Sequence, residues 1–481
     1  MTLILRLYLG VVVSVMLCVA HQPQAIAADI FGTDAEIPPT AATPLGKNPS
    51  CQFGPVKQPL LLTDAVERSL CNNPKTGEAW AQIKAQAAAL GTAKGAYLPT
   101  LSLSGQHIKE DSKTVVPGHS EFNSNNSSPN YSSSVSLSWV LYDFGGRSAA
   151  LDKARALLVA AQTNHLQALQ TIFITTAKDY YNAQAAAGEL AAALETERIA
   201  RKSLDVVISK EAHGAASMGD ELQARTAYLQ ARANRTKSEG NWQSDIGILA
   251  GDLALRPDTP ISLPAVDDGV KPDSDFQKSV SALINEATRI HPGILAAQAQ
   301  LKAAEADVNQ TKAEGMPSLS LIVKSSHDNQ RVNEGLGQPY FKARHTDNYV
   351  GVQVSVPLFE GFTREYKVRK GIAHVEEKQH SLDDMRNNVE LDVWKSYQSL
   401  KVATSNLPVT HDLLLTAQRS YDAAEHRYEN GVGSILELLN TQTALSNAEK
   451  QHIQSLTDWR YSRLELAEKL GYLGLESVGE K

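Results

Sequence analysis

The chain has 481 residues, 42% of them hydrophobic, and a net charge of −7. Its Lys and Arg residues are scattered, which argues against nucleic-acid binding, because that binding needs concentrated positive charge. This length could hold several domains of roughly 100 to 200 residues, but an internal repeat described below favours two halves of one architecture.

The first residues have the pattern of an export signal. Arg6 supplies the positive start, residues 7–20 are apolar, and residues 25–27 (AIA) form a small-residue cleavage site. The apolar run is shorter than the roughly 20 residues that a membrane-spanning helix needs, although an uncleaved anchor is the alternative. We therefore predict a signal peptide over 1–27, followed by a Pro-rich N-terminal segment over 28–58.

Two cysteines remain after removal of the signal, Cys51 and Cys71. In an exported chain such a pair is a candidate for one disulfide, because the compartment is oxidising. A bridge would attach the Pro-rich segment to the start of the first helix. Two unpaired thiols are the alternative.

The mature chain contains a long internal repeat. Pro74 is matched by Pro292 at an offset of 218 residues, and Trp242 by Trp459 at an offset of 217. Solenoid repeats recur every ~20 to 50 residues, so this period indicates a duplicated unit. The predicted organisation is a first repeat over 59–254, a linker over 255–275, a second repeat over 276–472 and a tail over 473–481.

Each repeat contains two segments in which apolar and small polar residues alternate. This period of two predicts four strands, at about 100–108, 132–142, 318–326 and 349–358. Polar segments at 111–130 and 327–348 lie between the paired strands and predict long loops facing solvent. The alternation fits a soluble sandwich as well as an outer-membrane barrel. Aromatic residues at the strand ends favour the barrel, as an interfacial belt: Trp139, Tyr142, Phe144, Phe359 and Phe362.

Long helical segments follow the strands in both repeats. Residues 146–214 and 363–431 are rich in helix-forming residues, and a helix of ~67 residues spans about 100 Å. Gly188 and Pro408 predict one interruption in each segment. A Gly-containing turn and a return helix follow each segment, so each repeat ends in a helical hairpin. Helices of this length are stable in water only when they pack side by side.

The strand count has a consequence for assembly. No segment after the signal reaches 18 consecutive apolar residues, so a chain of this kind that crossed a membrane would need a closed barrel. The smallest membrane barrels have eight strands, so four strands cannot close one. Several copies of the chain would therefore have to contribute strands to one barrel.

Three segments carry a family resemblance: 141–146 (LYDFGG), 358–362 (LFEGF) and 428–440 (YENGVGSILELLN). With the repeat, they make the chain closely resemble the TolC-like outer membrane efflux and secretion channels over about residues 59 to 472. The resemblance implies an α+β membrane protein that assembles as a homotrimer. Four strands per chain would form a 12-stranded β-barrel in the outer membrane, continued through the periplasm by an α-helical barrel.

The resemblance also implies the function. Such channels are passive, without catalytic residues, metal or cofactor, and they work with a periplasmic adaptor (membrane fusion) protein. Their energy comes from an inner-membrane ABC transporter or a proton-driven efflux transporter. Residues 69–74 (SLCNNP) and Cys51 look most like the subgroup for type I protein secretion. A drug-efflux channel is the alternative, and a periplasmic coiled-coil adaptor is the alternative from another class.

The resemblance further implies a periplasmic aperture at the hairpin tips. By position its acidic residues are Asp220 and Glu437, a second acidic position is Asn440 here, and Tyr428 remains as a hydrogen-bonding member. The arginine of the family's ionic lock corresponds to Gly433, which puts such a lock in doubt. Ordinary helix N-terminal charge is the alternative for the two acids. The tip turns, where the adaptor would dock, contain Gly214, Gly219, Gly431 and Gly433.

Overall fold

A computed structural model describes residues 29–46, 51–266, 279–329, 331–332, 335 and 341–474. The predicted signal peptide lies outside the described residues. Much of the predicted linker and most of the predicted tail lie outside them too.

The described residues form eight α-helices and six strands in two similar series. The first series comprises α1 (Leu62–Asn72), α2 (Pro74–Gly95), β1 (Thr100–Thr114), β2 (Ser124–Tyr142), α3 (Gly146–Ala212) and α4 (Met218–Asp252). The second comprises α5 (Val280–Ile290), α6 (Pro292–Ala313), β3 (Ser318–Asp328), the two-residue strands β4 (Arg331–Val332) and β5 (Phe341–Lys342), β6 (His345–Ser355), α7 (Thr363–Glu429) and α8 (Ile435–Leu470). We call α3–α4 the first hairpin and α7–α8 the second hairpin.

The four long strands form one antiparallel sheet in the order β1-β2-β3-β6. Leu101 pairs with Leu137 and Leu103 with Val135 on one face. On the other face the Ser102 and Ser136 hydroxyl oxygens lie 2.7 Å apart. The sheet therefore has one apolar and one polar face, and β1 and β6 have no partner strand on their outer edges among the described residues.

Two of the strands are much longer than the alternation predicted. β1 and β2 pair without interruption from Thr100↔Ser138 to Thr114↔Ser124, so most of the predicted 111–130 loop is strand. That prediction was wrong because cross-strand hydrogen bonds join backbone groups, which a segment of Ser and Asn supplies as well as an apolar one. At the other end β6 stops at Ser355, before the predicted end at 358.

The long helices run without the predicted interruptions. α3 continues through Gly188 and α7 through Pro408, each for 67 residues. At Gly188 an added Cβ would lie 3.0 Å from Val266 Cγ2. Glycine at this position therefore lets the segment that follows α4 pack closely against α3. Around Pro408 the packing of α7 against α8 holds the helix together, as Leu407 is buried in their common core. None of the helices in the described part of the chain is long and apolar enough to cross a membrane.

The helices lie side by side. α3 packs against α2, α4, α6 and α8, and α7 packs against α6 and α8. The shorter α1 and α5 pack across α3 and α7, respectively. One buried cluster joins α1, the middle of α3 and the end of α4, and includes Leu70, Phe173, Tyr180 and Leu249.

The segment before α1 is attached to this cluster. Cys51 and Cys71 form a disulfide, with their Cα atoms 5.5 Å apart. The Arg68 guanidinium donates to the carbonyl oxygens of Gly54 at 2.9 Å and Pro55 at 3.1 Å. The chain entering α1 is thus held by a covalent bond and by two hydrogen bonds.

Candidate functional site at the hairpin tips

The two hairpin turns are built alike. After α3, Gly214 has a φ of 74°, and the Ala215 N–H donates to Lys210 O at 2.7 Å. After α7, Gly431 has a φ of 78°, and the Val432 N–H donates to Arg427 O at 3.0 Å. This is the Schellman ending of a helix, and its left-handed residue favours glycine. The sequence therefore places both turns through Gly214 and Gly431.

Both return helices begin at a capping serine with an acid three residues later. The Ser217 hydroxyl accepts from the Asp220 N–H at 3.1 Å, and the Asp220 carboxylate accepts from the Ser217 N–H at 2.9 Å. These bonds form a reciprocal capping box. Hydrogen bonds from the Ser217 backbone and hydroxyl lower the pKa of Asp220, so this carboxylate is ionised at neutral pH.

At the second tip the corresponding acid, Glu437, has a different partner. Ser434 accepts from the Glu437 N–H at 3.2 Å, so the serine caps α8 as Ser217 caps α4. The Glu437 carboxylate instead pairs with the Arg427 guanidinium of α7. The two corresponding acids therefore differ: Asp220 caps its own helix, whereas Glu437 joins the two helices of its hairpin.

Gly433 has no room for a side chain. An added Cβ would lie 3.0 Å from both Arg427 Cβ and the Tyr428 backbone nitrogen. A side chain at this position, where the resemblance would place the arginine of an ionic lock, would require the end of α7 to shift. The positive charge at the second tip comes from Arg427, which sequence comparison with the family did not single out.

Tyr428 lies between the two hairpins. Its side chain is buried, and burial raises the pKa of its phenol, with a smaller contribution from the Asp220 charge. The Lys210 ammonium of α3 lies 4.2 Å from the Tyr428 ring centroid and donates to the Tyr428 carbonyl oxygen. Lys210 and Tyr428 therefore connect the end of α3 to the end of α7.

A second set of charges connects the hairpins about two turns before Lys210 on α3. The Lys202 ammonium of α3 lies 2.9 Å from Glu425 Oε1 and 3.3 Å from Glu429 Oε1 of α7. Sequence reasoning missed this triad, because nothing in the local pattern places residues more than 220 positions apart side by side.

The remaining predicted tip residues are less constrained. Gly219 lies inside the first turn of α4 and is not part of the turn between the helices. Asn440 is exposed one turn after Glu437. Beside them a shallow groove is lined by exposed or half-buried residues of α4 and α8, namely Leu222, Gln223, Thr226, Leu436 and Leu439.

The strand-to-helix junctions contain a second pair of corresponding residues. Arg147 pairs with Asp143 at 3.1 Å and donates to Val140 O at 2.7 Å. At the offset of 217 residues, Arg364 pairs with Glu360 at 2.8 Å. We call Arg147 and Arg364 the junction arginines.

The second junction arginine has further partners. Its guanidinium also contacts Glu314 Oε2 at 2.9 Å and Thr311 O at 3.2 Å. Sequence reasoning missed these clamps, although the repeated acid-x-x-x-Arg spacing would have revealed both.

The predicted aromatic belt lies at the same junctions. The rings of Tyr142 and Phe144 pack edge to face at 4.8 Å, and those of Phe359 and Phe362 at 5.4 Å. Trp139 donates from its indole nitrogen to Tyr97 O at 2.9 Å. All five predicted belt side chains are exposed in the single chain.

An antiparallel sheet with one apolar face, joined to two long helical hairpins, defines the class of outer-membrane channel with a periplasmic tunnel. The chain belongs to the outer membrane efflux protein family, whose pattern it matches over residues 65–248 and 283–472. It is therefore an outer-membrane export channel extending into the periplasm, and not an enzyme.

Individual relatives cover most of the chain. Protein CyaE of Bordetella pertussis is 30% identical over 422 residues, which is 87% of this chain and 85% of the relative. Outer membrane protein TolC of Escherichia coli is 22% identical over 439 residues, covering 89% and 85% respectively. The crystal structure of outer membrane protein VceC from Vibrio cholerae superposes with a TM-score of 0.72 at 18% identity, covering 86% of this chain and 96% of that one.

Proposed function

We propose that the chain is the passive outer-membrane duct of a tripartite type I secretion system. The observation that carries this proposal is the open sheet. In the described part of the chain it has four long strands and no partner strand on either outer edge, and it is continuous with helices about 100 Å long. A duct of this kind needs partners to supply energy. We propose a periplasmic adaptor and an inner-membrane ABC transporter.

The open sheet edges support a homotrimer. The order β1-β2-β3-β6 is antiparallel throughout, so β6 of one copy can pair antiparallel with β1 of the next. Lipid offers no hydrogen-bond partners to open strand edges. Three copies would close a barrel of 12 strands, within the range known for membrane barrels.

The helical edges support the same assembly. α7 leaves a line of apolar side chains exposed along its middle third: Leu391, Trp394, Val402, Val409 and Leu413. α4, at the other edge of the protomer, exposes Leu229 and Ile248. Packing α7 of one copy against α4 of the next would bury both sets and stabilise helices of this length.

The tips are the proposed aperture and adaptor-docking region. Asp220 and Glu437 would place carboxylates around the periplasmic opening, and rings of carboxylates favour cations. The pairing of Glu437 with Arg427 reduces the charge available from the second hairpin. The groove that includes Leu222 and Leu436 offers an apolar surface to an adaptor.

The assignment to type I secretion rests on a shorter stretch of sequence. Residues 69–74 and the bridge from Cys51 to Cys71, near the end of α1, are its support. A duct for drug or small-molecule efflux is the second candidate, and the description of the family as efflux proteins favours it. Co-expression with a type I transporter and adaptor would separate them, since only the secretion duct restores polypeptide export.

The first test is the conductance of the purified protein in a planar bilayer, with its oligomer mass measured in the same detergent. A trimer that gives small, cation-selective openings supports the duct. A monomer without conductance would overturn the proposal and favour a periplasmic coiled-coil protein. Protein unfolded by heat and carried through the same detergent is the matched control.

A further inference from the structure

Two carboxyl groups meet at the base of the first hairpin. Asp252 is the last residue of α4, and its side chain is within hydrogen-bonding distance of Asp179 on α3. The Oδ2 atom of Asp252 is buried and receives no hydrogen bond from any donor present. A buried carboxylate oxygen without a donor is costly. A proton held between the two carboxyl groups would remove that cost, because one group would then donate to the other.

The surroundings of this acid pair do not neutralise it. Among the described residues, neither carboxylate has an ion-pair partner. Asp245, two turns earlier on α4, adds a third acid, and burial and the Asp179 charge raise its pKa. Lys178, next to Asp179, points its ammonium towards the Tyr461 ring, 5.7 Å from the centroid. Asp252 also lies at the C-terminus of α4, where the helix dipole disfavours negative charge.

The charged groups of the neighbouring segments are engaged elsewhere. On α1, Arg68 donates to backbone carbonyls. On α8, Arg460 donates to the Gln184 side chain at 2.7 Å. In the segment after α4, Arg256 and Asp258 pair with each other at 3.0 Å. No basic side chain among these groups is directed at the acid pair.

The second repeat has different chemistry at the same place. At the offset of 217 residues, Asp252 corresponds to Lys469 and Asp179 to Ser396. Lys469 lies 3.1 Å from Glu468 and 3.7 Å from Asp392, so its charge is compensated. The uncompensated acid pair is therefore a property of the first hairpin alone.

We propose that Asp179 and Asp252 form a pH-operated latch, which holds the end of α4 on α3 while the two carboxyl groups share a proton and releases it when both are ionised. The released segment would comprise the last turn of α4 and the chain that follows it, which contributes Leu253 and Ile261 to the buried cluster that includes α1. Both carboxyl groups lie within one chain, so the latch does not depend on the cargo.

The direction of the effect follows from proton binding. Burial, and then the hydrogen bond and charge of Asp179, raise the pKa of Asp252 from 3.8 to about 7. When the segment opens to water, the group regains its ordinary pKa and releases the proton. The latched state is therefore favoured in acid, weakens as the pH rises from about 3.8 towards 7, and loses nothing further above that pH.

Hydrogen exchange of the full-length protein in detergent, measured by mass spectrometry from pH 5 to 8.5, tests the latch. After correction for the intrinsic rate, opening of residues 246–262 should increase about tenfold per pH unit up to about pH 7 and then level off, because one proton leaves on opening. Residues 218–234, at the start of the same helix and far from the acid pair, should show no such slope. A flat profile for residues 246–262 would overturn the proposal.

Two substitutions make the test specific. Asp252→Asn should abolish the slope while keeping a hydrogen bond to Asp179, and Asp179→Ser, the residue of the second repeat, should abolish it by removing the partner. Asp152→Asn, on the exposed surface of α3, is the matched control and should keep the slope of the unmodified protein. If either latch variant keeps the slope, another group is responsible and the latch is refuted.

Discussion

The two repeats share a backbone but differ in the charges at the two ends of their hairpins. At the junctions with the sheet, both use an arginine four residues after an acid. At the tips, Asp220 caps its own helix while Glu437 pairs with Arg427. At the bases, an acid pair in the first repeat corresponds to a compensated lysine in the second.

This pattern indicates at which positions of the repeat the path of the backbone constrains the side chains. The junction must turn the chain from a tilted strand into a long helix, and both copies use the same clamp there. The hairpin ends only have to close a turn, which the Schellman glycine and the capping serine already do. Acidic and basic side chains there were free to diverge, and the two hairpins became chemically distinct.

The largest expected effect concerns a feature of the first repeat alone, the Cys51–Cys71 bridge. A loop of this size stabilises by about 3 kcal/mol through the entropy of the unfolded chain. Replacing both cysteines by serine should therefore lower the unfolding temperature of the purified protein, measured by calorimetry. Reductant should have the same effect on the unmodified protein and none on the variant. Equal melting with and without reductant would show that the bridge contributes nothing.

Substitution of the junction arginines tests whether the two repeats are stabilised in the same way where strand meets helix. Arg147→Ala and Arg364→Ala each remove a largely buried guanidinium with an ion pair and a carbonyl hydrogen bond, so each should cost about 2 kcal/mol of unfolding free energy. Denaturant unfolding measures both. Arg155→Ala removes an exposed pair and is the control, with an expected loss of under about 0.5 kcal/mol. A large loss in only one repeat would break the proposed equivalence.

The capping serines should sharpen the difference between the tips. Ser217→Ala breaks a reciprocal capping box and should destabilise the first turn of α4 by about 1 kcal/mol. Ser434→Ala removes a single hydrogen bond and should have a smaller effect on α8. Local hydrogen exchange reports both, with Ser405→Ala, inside α7, as control. A greater loss of protection at α8 than at α4 would reverse the comparison.

The smallest expected effect is on ion selectivity of the reconstituted pore. Glu437→Gln should reduce cation preference, whereas Arg427→Gln should free the Glu437 carboxylate and increase it, each by about twofold because exposed charges are screened. Reversal potentials under a salt gradient measure the change. Asp422→Asn, on the exposed part of α7, controls for net charge. Equal selectivity in all variants would return Glu437 to a purely structural role.

The sequence predicted the helical part of the fold well. The ends of α3 and α7 lie within two residues of the glycines that mark them, because a left-handed residue must follow the helix. The interruptions predicted at Gly188 and Pro408 did not occur, since packing against neighbouring helices overrides local preference. The lengths of β1 and β2 were underestimated, because pairing of backbone groups leaves no periodic signal.

The chemistry of the candidate site was predicted only in part. The two tip acids, Asp220 and Glu437, were predicted from sequence, because each follows a turn glycine by six residues. Their partners were not, since the pairing of Glu437 with Arg427 depends on the path of the turn and on the lack of room at Gly433. The acid pair of Asp179 and Asp252 joins residues 73 positions apart in sequence, and only the packing of α3 on α4 brings them together.

α3 and α7 have the same length, 67 residues each, and this length sets how far each hairpin extends from the sheet. Both helices start at the sheet and end at a tip. The two tips therefore reach the same distance from the sheet only if the two helices contain the same number of residues. Removing seven residues from one helix would raise its tip by about 10 Å and leave the other behind. The span of the duct can therefore change only when both copies of the repeat are shortened or lengthened together.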